Sequence, residues 1–218
     1  MAKIVFLAAG HGGADPGAVA NGMYEKDINL VTMLSCKREL ERHGVTVVTN
    51  RTTDVDVALS TKCDKANKSG AEIAVSFHAN AGGGDGFEAF YYTTSTAGKK
   101  LAGLLEKHVR ALGQNSRGLK SGNHLYFVKN TIMPAVLVES AFLDNKTDKT
   151  ILDTVDEQKA FGVAYAKAIL EYLGIAWVEE VKKTDKLWRV QVGAFSKREN
   201  AEILAKELKG KGYSVVIV

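Results

Sequence analysis

The stretch Phe6-Leu-Ala-Ala-Gly-His11-Gly-Gly-Ala-Asp15-Pro-Gly-Ala18 follows an apolar run that starts at Ile4, and its reading decides how the remaining chain is arranged. Ile4 to Leu7 reads as a buried strand. It ends in a loop whose glycines, Gly10, Gly12, Gly13 and Gly17, let the backbone turn sharply and keep side chains away from the imidazole of His11. His11 then stands at the carboxyl end of a strand, where ligands and catalytic groups collect in open α/β sheets. A glycine-rich turn carrying a solvated histidine would leave the same local pattern. What the later strands deliver therefore decides between the two.

Downstream, strand and helix patterns alternate. Glu25-Lys-Asp27 opens a helix that runs to about His43 and is stopped by Gly44. Val45 to Thr49 is β-branched and strand-like, Ala58 to Lys68 helical, and Glu72 to Phe77 a strand that delivers His78. The flexible loop Asn80 to Gly86 leads to an alternating strand, Phe87 to Tyr92, and to an amphipathic helix with Leu101, Leu104, Leu105, His108 and Leu112 at helical spacing. His108 on that stripe reads as a packed histidine. Residues 114–124 read as a polar loop, Leu125 to Val128 as a short strand, and Pro134 to Val138 as an apolar strand ending at Glu139. A last helix covers about Asp156 to Leu173. The expected fold is α/β: a mostly parallel or mixed sheet with helices on both faces, plus a small carboxyl-terminal βαβ unit.

With parallel strands, the carboxyl ends share one edge of the sheet, so His11, His78 and Glu139 converge, with Glu25 at the start of a helix beside them. Two histidines and a glutamate form a zinc-hydrolase ligand set that leaves a fourth position for water. Zinc lowers the pKa of that water toward about 7, and a nearby carboxylate takes its proton. His11, Glu25 and His78 fill the ligand roles and Glu139 the role of base. Taken singly, each has an ordinary explanation: Glu25 as a helix-start carboxylate, His78 and Glu139 as residues at strand ends.

The totals narrow the classes. The 218 residues hold one sizeable core plus a small appendage. Of the net charge of +4, residues 182–218 carry nine Lys/Arg against four Asp/Glu, which leaves the first 181 residues near neutral. The tail has no dense basic run, so no nucleic-acid partner is expected. Cys36 and Cys63 lie in helical patterns without zinc-knuckle spacing and read as buried free thiols. No segment approaches the roughly 18 apolar residues of a membrane helix, so no membrane partner is expected. The apolar amino terminus is too short for a signal peptide and leads directly into His11, which suggests synthesis in the cytoplasm and action on the wall after release by lysis or a holin.

The chain resembles the zinc-dependent N-acetylmuramoyl-L-alanine amidases of the type-3 family from about Lys3 to Leu173. The resemblance rests on Ala-Gly-His11-Gly-Gly with Asp15-Pro-Gly-Ala18, Glu25-Lys-Asp27, Ser76-Phe-His78-Ala-Asn80-Ala81, Arg117-Gly-Leu-Lys120, Met133-Pro-Ala-Val-Leu-Val-Glu139, Phe142 and Asn145. It implies zinc on His11, Glu25 and His78, and Glu139 as the catalytic carboxylate. The substrate would be peptidoglycan, glycan strand and stem peptide together, cut between the lactyl group of N-acetylmuramic acid and L-alanine. Asn80 and Arg117 become candidate substrate contacts, with loop capping or a surface ion pair as the equal alternative for each. Three positions depart from the family: Ala8 stands where Asp is common, Lys62 where Arg is frequent, and Ala141 where Gly is usual. Loss of an orienting carboxylate at position 8 would weaken the metal site, since such partners are worth about 10 to 100-fold. That motivates the alternative of a wall-binding protein with an impaired site; a zinc peptidase acting on stem-peptide bonds is the other.

In the tail, Trp188 to Phe195 alternates like a strand, Ser196 to Glu199 has the form of a capping box, Ala201 to Leu208 is helical, and Tyr213 to Val218 is strand-like. This resembles half of a sporulation-related (SPOR-like) glycan-binding repeat. Roughly 35 residues are too few for a stable core alone, which invites self-association through the half repeat. The expected division is a catalytic domain at 1–175, a linker at 176–186 and the partial unit at 187–218.

Overall fold

A computed structural model describes residues 3–180, 190–213 and 215–217. In chain order the elements begin with β1 (Ile4–Ala9), a small antiparallel hairpin of β2 (Val19–Ala20) and β3 (Met23–Tyr24), α1 (Glu25–Arg42), β4 (Thr46–Thr49), α2 (Leu59–Lys68) and β5 (Ile73–Asn80). They continue with β6 (Phe87–Tyr91), α3 (Thr96–Arg110), β7 (Ser116–Ser121), α4 (Tyr126–Asn130), β8 (Ala135–Phe142), α5 (Lys146–Lys149), α6 (Val155–Leu173) and α7 (Arg198–Gly210). The main sheet has the order β4-β1-β5-β8-β6-β7. Its first four strands are mutually parallel, β6 runs antiparallel to β8, and β7 is parallel to β6.

Burial on both faces explains why β1, β5 and β8 read as nearly continuous apolar runs. On one face, Val5, Leu7, Ala9, Ile73, Val75, Phe77, Val136 and Val138 pack with Met33 and Cys36 of α1, Leu101 and Leu105 of α3, and Phe161 and Tyr165 of α6. On the other, Phe6, Ala8 and Ala74 meet Cys63 and Ala66 of α2 and Phe127 of α4. Alternation of side chains along a strand then assigns His78, Glu139 and Glu88 to this second face. Their backbones are direct neighbours: His78 is opposite Glu139, and Glu139 opposite Glu88.

Several local expectations are corrected. Residues 116–121 form edge strand β7 rather than a loop; an edge strand with Arg117 and Lys120 lacks an alternating apolar face. Leu125 to Val128 is not a strand, because α4 begins at Tyr126 with Leu125 as its N-cap, and a four-residue apolar run carries no period that separates the two. His78 and Glu139 lie within their strands, each followed by further strand residues. His108 is partly exposed, with Nε2 2.7 Å from Glu171, rather than packed in the core. Cys36 and Cys63 are buried free thiols.

The chain divides into two compact units between Val178 and Glu179. In the first, the Trp177 ring stacks on His43 with centroids 4.8 Å apart, while Val178 N donates to His43 Nε2 at 3.0 Å. In the second, α7 has Lys197 as N-cap with no side-chain capping bond, so the expected Ser196 box does not form. Among the described residues, neither 190–195 nor 215–217 belongs to a strand. Trp188, Arg189, Ser214 and Val218 of the two expected strands lie outside the described residues.

Candidate metal centre and active site

The loop after β1 is held from three sides. Gly10 N donates to Phe77 O of β5 at 3.0 Å, and Gly12 and Asp15 exchange backbone hydrogen bonds of 2.9 and 3.1 Å. The Asn50 side chain continues the sheet beyond β4, accepting from Ala9 N and donating to Ala9 O, both at 2.9 Å. Arg51 Nη2 donates to Gly10 O at 3.1 Å and to Lys26 O at 2.7 Å, joining the His11 loop to the first turn of α1. Asp54 adds a second tie, accepting from Gly13 N and from Lys26 Nζ, each at 2.7 Å. These bonds hold His11 at φ 56°, a left-handed backbone uncommon outside glycine, although Asn, Asp and His adopt it more often than other residues. Such strain persists only where the surroundings impose it, and it concentrates at functional sites.

Two glycines make room for the cluster. A Cβ at Gly10 would lie 2.2 Å from His78 Cε1, and one at Gly17 would lie 2.4 Å from Glu25 Oε2. Glu25, the first residue of α1, is buried beneath both imidazoles. Its Oε1 stands 3.2 Å from His11 Nε2 and 2.9 Å from His78 Nδ1, and Oε2 accepts from Ala18 N at 2.8 Å. The two rings meet edge to face with centroids 5.1 Å apart. One ligand atom from each of His11, Glu25 and His78 lies within 4.8 Å of the others. Three residues separated by up to 67 positions are thus brought together by β1, β5 and the amino end of α1.

The other nitrogen of His11, Nδ1, is 2.7 Å from Asp15 Oδ2. Asp15 thus gives His11 an orienting carboxylate, while Ala8 is fully buried with Cys63 and Ala66 of α2. The sequence signal for Asp15 was its place four residues after His11 within the quoted loop. Asn29, whose Nδ2 donates to Glu25 Oε1 at 3.2 Å, and Arg51 were likewise not singled out; nothing short of the assembled loop marks them.

Electrostatics set the protonation of the cluster. The Glu25 carboxylate beside His11 raises the imidazole to about 9, against the opposing effect of burial. Burial pushes Glu25 upward, but hydrogen bonds from His11 and His78 prevail and hold it well below the usual carboxylate range. Burial lowers His78, partly offset by Glu25. Glu139 is raised to about 8, first by burial and then by the charges of Glu25 and Glu88. Its Oε2 is buried and has no hydrogen-bond partner among the described residues. A carboxylate in that condition requires a proton or a nearby cation.

Asn80 and Arg117 converge on Glu88 rather than on the histidine cluster. Asn80 Nδ2 lies 3.4 Å from Glu88 Oε2, and Arg117 Nε donates to Glu88 Oε1 at 2.6 Å. Lys120 Nζ reaches the same Oε1 at 2.5 Å. Neither Glu88 nor Lys120 was expected; both belong to the antiparallel edge that the sequence concealed.

The residues present suit a divalent cation with borderline ligand preference. Two imidazole nitrogens and one carboxylate oxygen form the donor set, Asp15 fixes one ring from behind, and an unpartnered carboxylate oxygen of Glu139 belongs to the same sheet face. In chelator, the buried Glu139 makes stability pH-dependent. Its folded pKa of about 8 exceeds its ordinary value, so its contribution is complete below about 4.5 and is lost as pH rises through 8. Glu139→Gln removes that loss, on the order of 5 kcal/mol once pH exceeds 8. The excess of its melting temperature over wild type, followed by calorimetry, should therefore grow between about pH 5 and pH 8; a constant difference contradicts the assignment.

Comparison with known proteins agrees with this geometry. The family model for N-acetylmuramoyl-L-alanine amidase matches residues 5–171, and that for the SPOR domain matches residues 167–218. The sporulation-specific N-acetylmuramoyl-L-alanine amidase of Bacillus subtilis strain 168 is 33% identical over 224 residues, covering 100% of this chain and 85% of its own length. The endolysin of Bacillus phage SPP1 is 38% identical over 184 residues, covering 80% of this chain and 68% of its own. The catalytic domain of the amidase CwlV from Bacillus (Paenibacillus) polymyxa var. colistinus superposes with a TM-score of 0.74 at 33% identity, covering 80% of this chain and 99% of that one. With the family model spanning β1 through most of α6, the chain belongs to the N-acetylmuramoyl-L-alanine amidase family.

Proposed function

We propose that the protein is a zinc-dependent peptidoglycan amidase, cutting the amide between the lactyl carbonyl of N-acetylmuramic acid and L-alanine. The observation that carries this reading is the placement of His11, Glu25 and His78 around one point, with the unpartnered Glu139 carboxylate opposite His78 in the neighbouring strand. His11 through Nε2, His78 through Nδ1 and Glu25 through its carboxylate would hold zinc. When bound, zinc supplies a Lewis acid and a water of lowered pKa at an open position.

The chain provides the rest. Asp15 holds the His11 ring by Nδ1, leaving Nε2 to face Glu25. The brace of Asn50, Arg51 and Asp54 fixes that ring relative to α1. Glu139 accepts a proton from the attacking water as the new C–O bond forms, then delivers it to the departing nitrogen of L-alanine as the C–N bond breaks. Asn80 and Arg117, with Glu88 between them, form the side of the site along which a substrate chain would lie.

The catalytic domain, expected at 1–175, runs on to Val178, where Trp177 and Val178 pack on His43; the segment from there to 186 serves as the linker and 187–218 as a partial SPOR-like unit that holds glycan strands and pairs with a second copy. One of the relatives that align over the whole chain is named for sporulation, and the phage endolysin aligns over less of it, which supports a sporulation setting with release on lysis. Among the described residues no helix is long and apolar enough to cross a membrane.

Digestion of purified peptidoglycan should release intact stem peptides and peptide-free glycan chains, identified by mass, and a chelator should abolish the release. Cut stem peptides would instead identify a peptidase, and binding without release a wall-binding protein. Glu139→Ala should retain one zinc per chain and lose cleavage by at least about 100-fold, the size of a general acid–base contribution. Asp15→Asn should weaken zinc binding about 10 to 100-fold in competition titration, and unchanged affinity would remove Asp15 from the centre.

A further inference from the structure

The row of ionisable residues on this sheet face continues past Glu139, and its far end carries more positive charge than the fold uses. Glu88 is 4% exposed, and both Arg117 and Lys120 direct their charge to its single oxygen Oε1. One cation would neutralise one buried carboxylate. The second leaves the cluster with a net positive charge, although ion pairs this exposed add little stability by themselves. The donors are also unspent. Arg117 engages only Nε, and among the described residues neither terminal nitrogen makes a hydrogen bond. Its guanidinium carbon stands 5.4 Å from the Phe142 ring, which fixes the group while its side chain stays 43% exposed. A guanidinium held by Nε and one aromatic ring presents its remaining N–H groups as a fork, the geometry that takes a carboxylate with two parallel bonds.

We propose that Arg117 and Lys120 form a recognition site for the free α-carboxylate of the second stem-peptide residue, an assignment that rests on the amidase reading. In stem peptides the residue after L-alanine is joined through its side-chain carboxyl, so its α-carboxyl is either free or amidated. Glu88 lies on the strand next to Glu139, and Arg117 and Lys120 on the strand beyond, so the cations stand about one to two strand spacings, roughly 5 to 10 Å, from the base. An extended chain advances about 3.5 Å per residue, which brings the second residue's carboxyl to that distance from the scissile amide. Glu88 acts as a positioning residue, holding both cations in place, and Asn80 steadies its other oxygen. Amidation would replace an anion by a neutral group that adds donors where the site already has them.

The test uses the full chain and two soluble glycan-peptide substrates that differ only in whether the second residue carries a free or an amidated α-carboxyl. Wild-type protein should cleave the free acid with kcat/KM about tenfold or more above the amide, mostly through KM, as expected for loss of a charge-assisted hydrogen bond. In Arg117→Gln and Lys120→Gln the ratio should fall toward one, and Arg117→Lys, which keeps charge but loses the fork, should lie between. Equal rates for wild type on both substrates overturn the carboxylate assignment alone. Variants that lose activity on both substrates while keeping the wild-type ratio overturn it as well. Wild-type protein that releases stem peptide from neither substrate overturns the amidase reading and this assignment with it.

Discussion

The parallel pairing of β1, β5 and β8 is the constraint on which the site depends. Its register sets Ala8 beside Ser76 and His78 beside Glu139, and the antiparallel pairing of β8 with β6 adds Glu88 to the same row. A slip of one residue in any of these strands would turn the functional side chains to the other face, into the packing of α1, α3 and α6. The register is fixed because both faces are filled: Val75, Phe77 and Val138 on one side and Phe6, Ala8 and Ala74 on the other leave no alternative pairing that keeps apolar groups dry. The absence of a side chain at Gly10 belongs to the same constraint, since the His78 ring occupies the place its Cβ would take.

Around that row the charges are arranged at a cost that bound protons or a cation must offset. Glu25 and the Oε2 of half-buried Glu139 are withdrawn from water, and Glu88 lies beyond them in the same line. Without metal the arrangement balances by protonation: His11 holds its proton well above its ordinary range, and Glu139 is pushed the same way. A divalent ion on the two imidazoles and Glu25 would favour release of both protons. The far end of the row is balanced differently, by the fixed charges of Arg117 and Lys120 on Glu88. On the proposed function, the His11 end of the row would take a cation and the Arg117 end an anion, which would give a bound chain a direction.

The parallel core was legible in the sequence, and with it the convergence of His11, Glu25, His78 and Glu139, although each of the four taken singly has an ordinary reading. Buried parallel strands read as apolar runs, and the glycine loop and the helix start around His11 and Glu25 are marked by residues with few other uses. What stayed hidden was the antiparallel edge. β7 has one neighbour and no apolar alternation, so Arg117 and Lys120 looked like loop residues, and the buried partner they share, Glu88, looked like a polar position in a half-exposed strand. The roles of Asp15, quoted only as part of the loop, and of Arg51 were hidden for another reason. Their work lies in hydrogen bonds to a loop whose path is set only once β1, β4 and α1 are assembled. Ala8 lies on the same sheet face as His78 and Glu139, but its methyl is buried with Cys63 and Ala66 of α2.

The most direct measurement is anomalous diffraction at the zinc edge from crystals of the full chain grown with stoichiometric zinc. A single peak about 2.0 to 2.2 Å from His11 Nε2, His78 Nδ1 and a Glu25 carboxylate oxygen is the expected result. No peak at that position, or zinc bound elsewhere while His11 and His78 keep their contacts with Glu25, would contradict the assignment of this cluster as the metal centre.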